Sequence, residues 1–433
     1  MQNNQPHHAL LYLRKAGKAY PASREVLTDL GSAYMAIGDY KNSVGEFKVV
    51  QNLPYTKGIS SARKRSDRAK VAYNLGTSLL KLSDMESPDS RAKSLSEAES
   101  QLKVATKLSP RNAFAYNNLG IALENQGNNQ QAGESFLRAH EILPDQVDFT
   151  KNAGFAYLKA HNFPEASILL GKVFKADPTD AKTGLALASA FSEEGNYNSA
   201  IAVYDQMRPV EGKSSSYWFN LGYLRQKNGD NNGAMQAYAK CLAVSPNEID
   251  ALHNLAILKF KNGQYKQSET MFLQLSGLTI GSTEEEKNVV ASAIKAGDNR
   301  TALNYLIKLV HKDPQNQVEQ VQLANLYNNL GQFKQAKYHY QEVLNSNPKS
   351  APAHNGMGLY WLHKSQLQLA YIEFHRAVED DPKYVPGLDN LALTLEKLNH
   401  VKSAIHFLRR AHRIDPQNED VSNNLHRMLE SKE

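Results

Sequence analysis

Seven asparagines keep a common beat along the chain: Asn74, Asn118, Asn152, Asn220, Asn254, Asn390 and Asn424. From Asn118 onward every gap is 34 residues or a multiple of 34. A carboxamide both donates and accepts hydrogen bonds. Amides at regular intervals can therefore pair with the backbone of an extended peptide whatever its side chains. Each such bond contributes about 0.5–1.5 kcal/mol net, so several together position a chain if they outweigh its ordering cost. The same spacing also suits a quieter role, in which each amide bonds a neighbouring helix. Lysines form a second series: Lys81, Lys159, Lys227, Lys261, Lys295 and Lys397. They offer a basic stripe to an acidic partner, or they are solvated cations favoured at helix C-termini. Residues 57–70, KGISSARKRSDRAK, form a local basic run. It suits acidic protein, nucleic acid or an address signal, or it is the solvated entry to a helix.

The residue patterns of catalysis are missing. The sequence has no Gly-rich phosphate loop ending in Gly-Lys-Ser/Thr, no His-Glu-x-x-His and no nucleophile elbow. Eight of the 14 histidines fall late: His339, His354, His363, His375, His400, His406, His412 and His426. They occupy different positions within the repeat described below, so they do not converge as metal ligands must. Cys241 is alone, so no intramolecular disulfide forms and the redox compartment stays open. These features predict a protein that is not an enzyme and carries no cofactor and no metal.

The elements that position these residues announce themselves by periodicity, which takes precedence over local patterns. A small residue recurs every 34 positions at Ala98, Ala132, Ala166, Ala200, Ala234, Ser268, Ala302, Ala336, Ala370 and Ala404. A large apolar residue follows each of them, as in Leu102, Phe136, Leu170, Tyr238 and Phe374. Prolines at Pro110, Pro144, Pro178, Pro246, Pro314, Pro348, Pro382 and Pro416 keep the same frame, with gaps of 34 or 68. A Leu-small pair does too, at Leu75-Gly76, Leu119-Gly120, Leu221-Gly222, Leu323-Ala324 and Leu391-Ala392. Upstream the frame slips by 21 residues. Two insertions account for the slip, one near residues 58–68 between repeats and one near residues 83–93, where Ser, Asp and Pro cluster as in loops.

Residues 113–146 show what one period must be. Phe114, Leu119, Ala122 and Leu123 recur close to helical spacing, and Gly127-Asn128 breaks the helix as a left-handed cap does. Ala132, Phe136, Ala139 and Leu143 then make a second stripe, which Pro144 ends. Each unit is a hairpin of two short helices, with the small positions allowing close approach and the large ones filling space toward the next repeat.

Residues 215–248 carry Trp218, Leu221, Gly222, Gly229, Ala234, Tyr238 and Pro246, and this pattern resembles the tetratricopeptide repeat family. About eleven such repeats begin at Arg24, Ala69, Ala113, Val147, Ala181, Ser215, Ile249, Thr283, Gln317, Ala351 and Val385. The resemblance implies an all-α, right-handed superhelical solenoid whose first helices line a concave groove. It puts the asparagines along that groove, in a ladder similar to the one in the repeat domain of O-GlcNAc transferase. The family's clamp for chaperone tails needs a Lys and an Asn four residues apart on a first helix. Lys151 is followed by Phe155 and Lys287 by Ala291, so no such clamp is expected.

The expected organisation is a partial repeat over residues 1–23, arrays over 24–282 and 283–418, and a capping helix over 419–433. Val421, Leu425 and Met428 share one face of that cap. The first residues match the second helix of a repeat that lacks its first helix. Either the native chain extends upstream, or Leu10, Leu11 and Leu13 pair with a second copy in a homodimer, or a frayed helix caps the first repeat. In repeats six to eight the first-helix aromatic gives way to Arg225, Lys259 and Ala293, and Glu286 stands where Trp218 stood. Lower apolar burial there predicts an early-opening segment over residues 276–298.

Hydrophobic residues at 41% and charged residues at 22% exclude a disordered chain. A net charge of +6 spread over 433 residues favours acidic partners but is too diffuse to imply nucleic acid. No apolar run reaches a membrane span, and residues 1–8 lack the core of a signal peptide. The expected location is cytoplasmic, or periplasmic if a targeting segment lies upstream of Met1. The resemblance implies a scaffold that binds peptide segments or partner proteins within a larger assembly, such as a bacterial envelope, pilus, secretion or polysaccharide-export system. The alternatives are the substrate-docking part of a larger enzyme such as a glycosyltransferase, or a self-assembling scaffold.

Overall fold

The computed structural model describes residues 5–430, and all regular secondary structure among them is helical. The helices divide between two compact units, one ending at Val244 and one starting at Ser245.

In the first unit α1 (Gln5–Ala19) precedes the hairpins α2/α3 (Arg24–Ala36, Tyr40–Asn52), α4/α5 (Ser61–Ser83, Pro88–Leu108) and α6/α7 (Ala113–Asn125, Asn129–Ile142). They are followed by α8/α9 (Val147–Lys159, Phe163–Ala176), α10/α11 (Ala181–Glu193, Tyr197–Glu211) and α12/α13 (Ser215–Lys227, Asn231–Val244). The second unit opens with α14/α15 (Ile249–Lys261, Tyr265–Leu278) and α16/α17 (Thr283–Ala296, Asn299–Lys312). It continues with α18/α19 (Gln317–Asn329, Phe333–Ser346), α20/α21 (Ala351–His363, Leu367–Asp380) and α22/α23 (Val385–Lys397, Val401–Ile414), and α24 (Glu419–Glu430) ends the described chain. Ten of the eleven predicted repeat starts are the first residues of first helices.

The exception is the second repeat, whose first helix starts at Ser61 and not at Ala69. The insertion near residues 83–93 is mostly helix instead of loop, and the one near residues 58–68 lengthens the start of α4. Ser60 caps α4 by accepting a hydrogen bond from the Arg63 amide, and Pro88 takes the first position of α5, where its fixed φ favours helix entry. The Ser, Asp and Pro cluster near residue 88 is thus start chemistry for a helix of 21 residues.

Within a hairpin the two periodic ladders are the two halves of one contact. Gly120 of α6 lies against the Phe136 ring of α7, so close that a Cβ added there would sit 2.7 Å from the ring carbons. Gly222 meets Tyr238 and Gly358 meets Phe374 in the same way. The large residue therefore seats first in its own hairpin, a correction to the expectation that it fills space toward the next repeat. Tyr340 does both kinds of packing, since its ring also closes on Gly356 of the following repeat. Each hairpin turn is closed by backbone hydrogen bonds, as where the Gly127 amide donates to Glu124 and that of Asn128 to Leu123. Gly127 takes φ +81°, the left-handed region its missing Cβ permits.

Consecutive first helices approach one another within each unit, as in α2–α4, α4–α6 and α8–α10 in the first and α18–α20 and α20–α22 in the second. Among the described residues no consecutive second helices pair as extensively. First helices therefore lie on the inner side of each unit's curve. At the start, Leu10 is buried with Leu27 and Leu30 of α2, and Leu13 packs on the same cluster. These two leucines are thus spent within the chain, while Leu11 and Tyr12 remain 55% and 68% exposed. In α24 Val421 and Met428 are buried in one cluster with Leu388, Leu391 and Leu408 of α22 and α23.

Candidate peptide-binding face

Apart from Asn74, the fourteenth residue of the lengthened α4, the asparagine series occupies the sixth position of its helices, and most of its amides bond the first helix before. Asn152 Nδ2 donates to Asn117 Oδ1 at 3.2 Å, Asn390 to Asn355 at 2.9 Å, and Asn424 to Asp389 at 3.0 Å. In each pair the acceptor is 35 residues back, at the fifth position. Asn118 Nδ2 donates to Thr77 at 3.0 Å, and Asn117 Nδ2 to Asn118 Oδ1 at 3.3 Å. Thr77, Asn118, Asn117 and Asn152 thus form one continuous chain of side-chain hydrogen bonds across three repeats. Asn74 is buried, and Asn254 is half-buried. Burial pushes the Tyr204 hydroxyl pKa up, and the Asn220 amide opposes the shift. Replacing Asn152 by Ala removes the donor from Asn117 Oδ1. It is expected to cost about 0.5–1.5 kcal/mol, read as a lower thermal midpoint of the whole chain. An unchanged midpoint would show that the bond adds nothing.

The lysine series falls in the last turns of α4, α8, α12, α14, α16 and α22. Lys159 pairs with Glu124 at 2.7 Å, and Lys227 lies 5.4 Å over the Tyr223 ring. Lys81, Lys261, Lys295 and Lys397 are exposed. The two series therefore differ in kind: the amides knit first helices together, and the ammonium groups reach water.

The bonds between sixth and fifth positions locate the seam where first helices meet, and a different set of residues borders it. The fifth and ninth residues of one helix share a face. In the first unit those positions hold Asn117 and Ile121, Lys151 and Phe155, Leu185 and Ser189, and Phe219 and Tyr223. Leu185 is 41% exposed and Tyr223 42%, while Ile121, Phe155 and Phe219 are half-buried. Lys182 places its ammonium 5.1 Å over the Phe155 ring. Lys151 pairs with Asp180 at 2.5 Å. Burial alone would raise the Asp180 pKa, but Lys151 and Thr183 outweigh it and hold the carboxyl at about 2. The sequence reading missed this apolar face because it followed residues that repeat. Here the signal is a large apolar residue at the fifth or the ninth position, and both its place and its identity change from repeat to repeat.

In the first repeats of the second unit carboxylates cross the seam. His253 meets Glu285 at 2.9 Å and Lys287 meets Glu319 at 2.7 Å, each from a fifth position to the third position of the next repeat. Glu286, where an aromatic was expected, is only 1% exposed and is held by Lys312 at 2.6 Å and Lys308 at 2.5 Å. The segment over residues 276–298 is therefore filled by buried charge beside Val289, Val290 and Ala293. Among the described residues no group of three or more His, Cys, Asp and Glu could hold a metal ion, and no helix is long and apolar enough to cross a membrane.

Family profiles for the tetratricopeptide repeat match residues 102–134, 215–248, 293–359 and 386–418. These are tetratricopeptide repeats. The tetratricopeptide frame also relates the chain to curated proteins of several kinds. It is 26% identical over 153 residues to the BBSome complex member BBS4 of Bos taurus, covering 35% of this chain and 27% of that protein. It is 28% identical over 183 residues to anaphase-promoting complex subunit 7 of Homo sapiens, covering 39% of this chain and 32% of that protein. Protein O-mannosyl-transferase TMTC3 of Homo sapiens is 28% identical over 153 residues, 32% of this chain and 17% of the relative. The chain thus spans less than a third of the length of each. The repeats matched are of a kind typical of protein–protein interaction scaffolds.

Proposed function

We propose that the inner face of α6, α8, α10 and α12 holds an extended peptide segment of a partner protein within a multiprotein assembly. The observation that carries this reading is the exposed apolar strip of Leu185 and Tyr223 beside Phe155 and Phe219, flanked by Lys151, Lys182 and Lys227. Apolar positions left open on a face whose polar neighbours are already bonded gain most from being covered. Asn152 holds α8 against α6 through Asn117, and Lys151 ties α8 to Asp180 at the start of α10, so this part of the strip is set before a ligand arrives and less ordering cost remains. Two of the relatives bear the names of complex components, which agrees with a role in an assembly.

A phage-displayed peptide library selected on the purified chain tests the proposal. Selected peptides are expected to lose at least tenfold in affinity for the Leu185→Asp/Tyr223→Asp variant, with helix content and thermal midpoint unchanged. Equal affinity for both proteins would sink it. The match to a named transferase supports a second reading, in which the same strip docks the polypeptide substrate of a larger enzyme. A catalytic segment encoded in frame after Glu433 would favour it.

A further inference from the structure

A cavity of about 580 Å³ lies away from that strip, between the α1–α2 turn, the α3–α4 loop and the first turns of α4. Its apolar walls are Tyr20, Pro21, Pro54, Tyr55 and Ile59. Tyr20 is 63% exposed, so the wall is open to solvent. The floor is a fixed device. Arg24 donates to the Val50 and Leu53 carbonyl oxygens at 2.5 and 2.7 Å, to the Tyr55 hydroxyl at 3.1 Å and to Asp67 at 2.7 Å. Its guanidinium also stacks 4.0 Å from the Tyr55 ring centroid. A seat held this firmly is formed before any ligand arrives.

The charges that line the seat cancel, Arg24 against Asp67 and Arg63 against Glu25. Those around it do not. Residues 57–70 hold six cations (Lys57, Arg63, Lys64, Arg65, Arg68 and Lys70) against Asp67, a balance of +5 beside +6 for the whole chain. Among the described residues none of Lys57, Lys64, Arg65, Arg68 and Lys70 has a carboxylate partner within 4.0 Å. Arg65 is anchored on the backbone, donating to the Leu108 carbonyl oxygen at 2.9 Å. Lys64, 5.8 Å from the Tyr55 ring, Arg68, which shares a hollow with Tyr55, and Lys57, next to the wall residue Thr56, thus form a cationic rim beside a neutral, partly apolar seat.

We propose that this seat is a second docking site, which takes one aromatic or aliphatic side chain from an acidic peptide. The rim attracts the peptide's carboxylates and the seat buries its anchor; cavities of roughly 300–1,000 Å³ with a few fixed polar groups suit such insertion. A nucleic-acid backbone or a flat anionic membrane would meet the rim but leave the seat empty.

Fluorescence anisotropy with a fluorescein-labelled nonapeptide of Asp and Glu around one central Phe tests this on the intact chain. The expected result is binding at least tenfold tighter than for the same peptide with Ala at its centre. Thr56→Trp, which fills the seat from an exposed loop position, and Lys57→Glu/Arg68→Glu, which reverses the rim, should each weaken binding at least tenfold with helix content unchanged. The Leu185→Asp/Tyr223→Asp variant should bind as the parent does, which separates this site from the inner strip. No binding, or equal affinity for the Ala peptide, would overturn the proposal. So would oligo(dT) or phosphatidylserine vesicles binding as tightly as the Phe peptide, or loss of binding in the inner-strip variant.

Discussion

Replacing Lys308 and Lys312 together by methionine is expected to destabilise the second unit by about 3–5 kcal/mol at neutral pH. Both ammonium groups serve one carboxylate, that of Glu286, which is 1% exposed, whereas the lysines keep 54% and 34% of their own side-chain exposure. Removing the lysines therefore strands a charge in the interior, while the reverse change, Glu286→Gln, leaves two cations that water can reach and should cost less. The pH dependence distinguishes the mechanism from lost packing. In the parent, burial would raise the Glu286 pKa, but Lys308 and Lys312 outweigh it and hold the carboxyl below its ordinary 4.5. Its contribution is thus complete above pH 4.5 and fades as the pH falls through the lower folded value. In the double variant burial acts alone, the folded pKa rises above 4.5, and the penalty grows with pH. Urea midpoints measured between pH 4 and 7 should show the gap between the two proteins narrowing toward acid. A gap independent of pH would remove Glu286 from the explanation.

Phe136→Ala is expected to cost the first unit about 3–5 kcal/mol, the usual loss for emptying a fully buried aromatic site. Gly120→Ala should cost about 1–3 kcal/mol by itself, because the new methyl meets the Phe136 ring at 2.7 Å and the ring has no open space to retreat into. The two changes are predicted to be far from additive. With Phe136 cut back to alanine, the methyl at position 120 enters vacated space and its penalty should vanish. The coupling between such contacting residues runs to about 0.5–3 kcal/mol. Thermal melts of the four proteins in the cycle measure it. A penalty for Gly120→Ala that is the same in both backgrounds would mean that the two ladders do not meet as described.

Most of the architecture was legible in the sequence because a tetratricopeptide hairpin writes its contacts at fixed intervals. Ala132, Phe136, Gly127 and Pro144 each have one local job, and that job depends only on neighbours within one period. The insertion near residues 83–93 differs from its expected loop for a related reason: Ser, Asp and Pro serve both loops and helix starts, and only the observed continuation through α5 separates the two. The site was harder to read. Whether the amide of Asn152 faces a ligand or a helix depends on how closely Asn117 approaches from the previous repeat, which no spacing along the chain reports. A carboxylate in place of an aromatic at Glu286 implies a loss of burial when only the sequence is in view. Its two lysines lie on the following helix, 22 and 26 residues away, and only folding shows that they converge. Leu185 and Tyr223 escaped notice because nothing about them repeats.

The seating of Phe136 in the groove left by Gly120, inside a single hairpin, bears on how such a molecule changes its length. Removing one 34-residue period in frame takes out a bulky side chain together with the notch cut for it, so the survivors keep matched partners. Gene duplication or deletion can therefore lengthen or shorten the array in whole steps, with point changes needed mainly where the new neighbours touch.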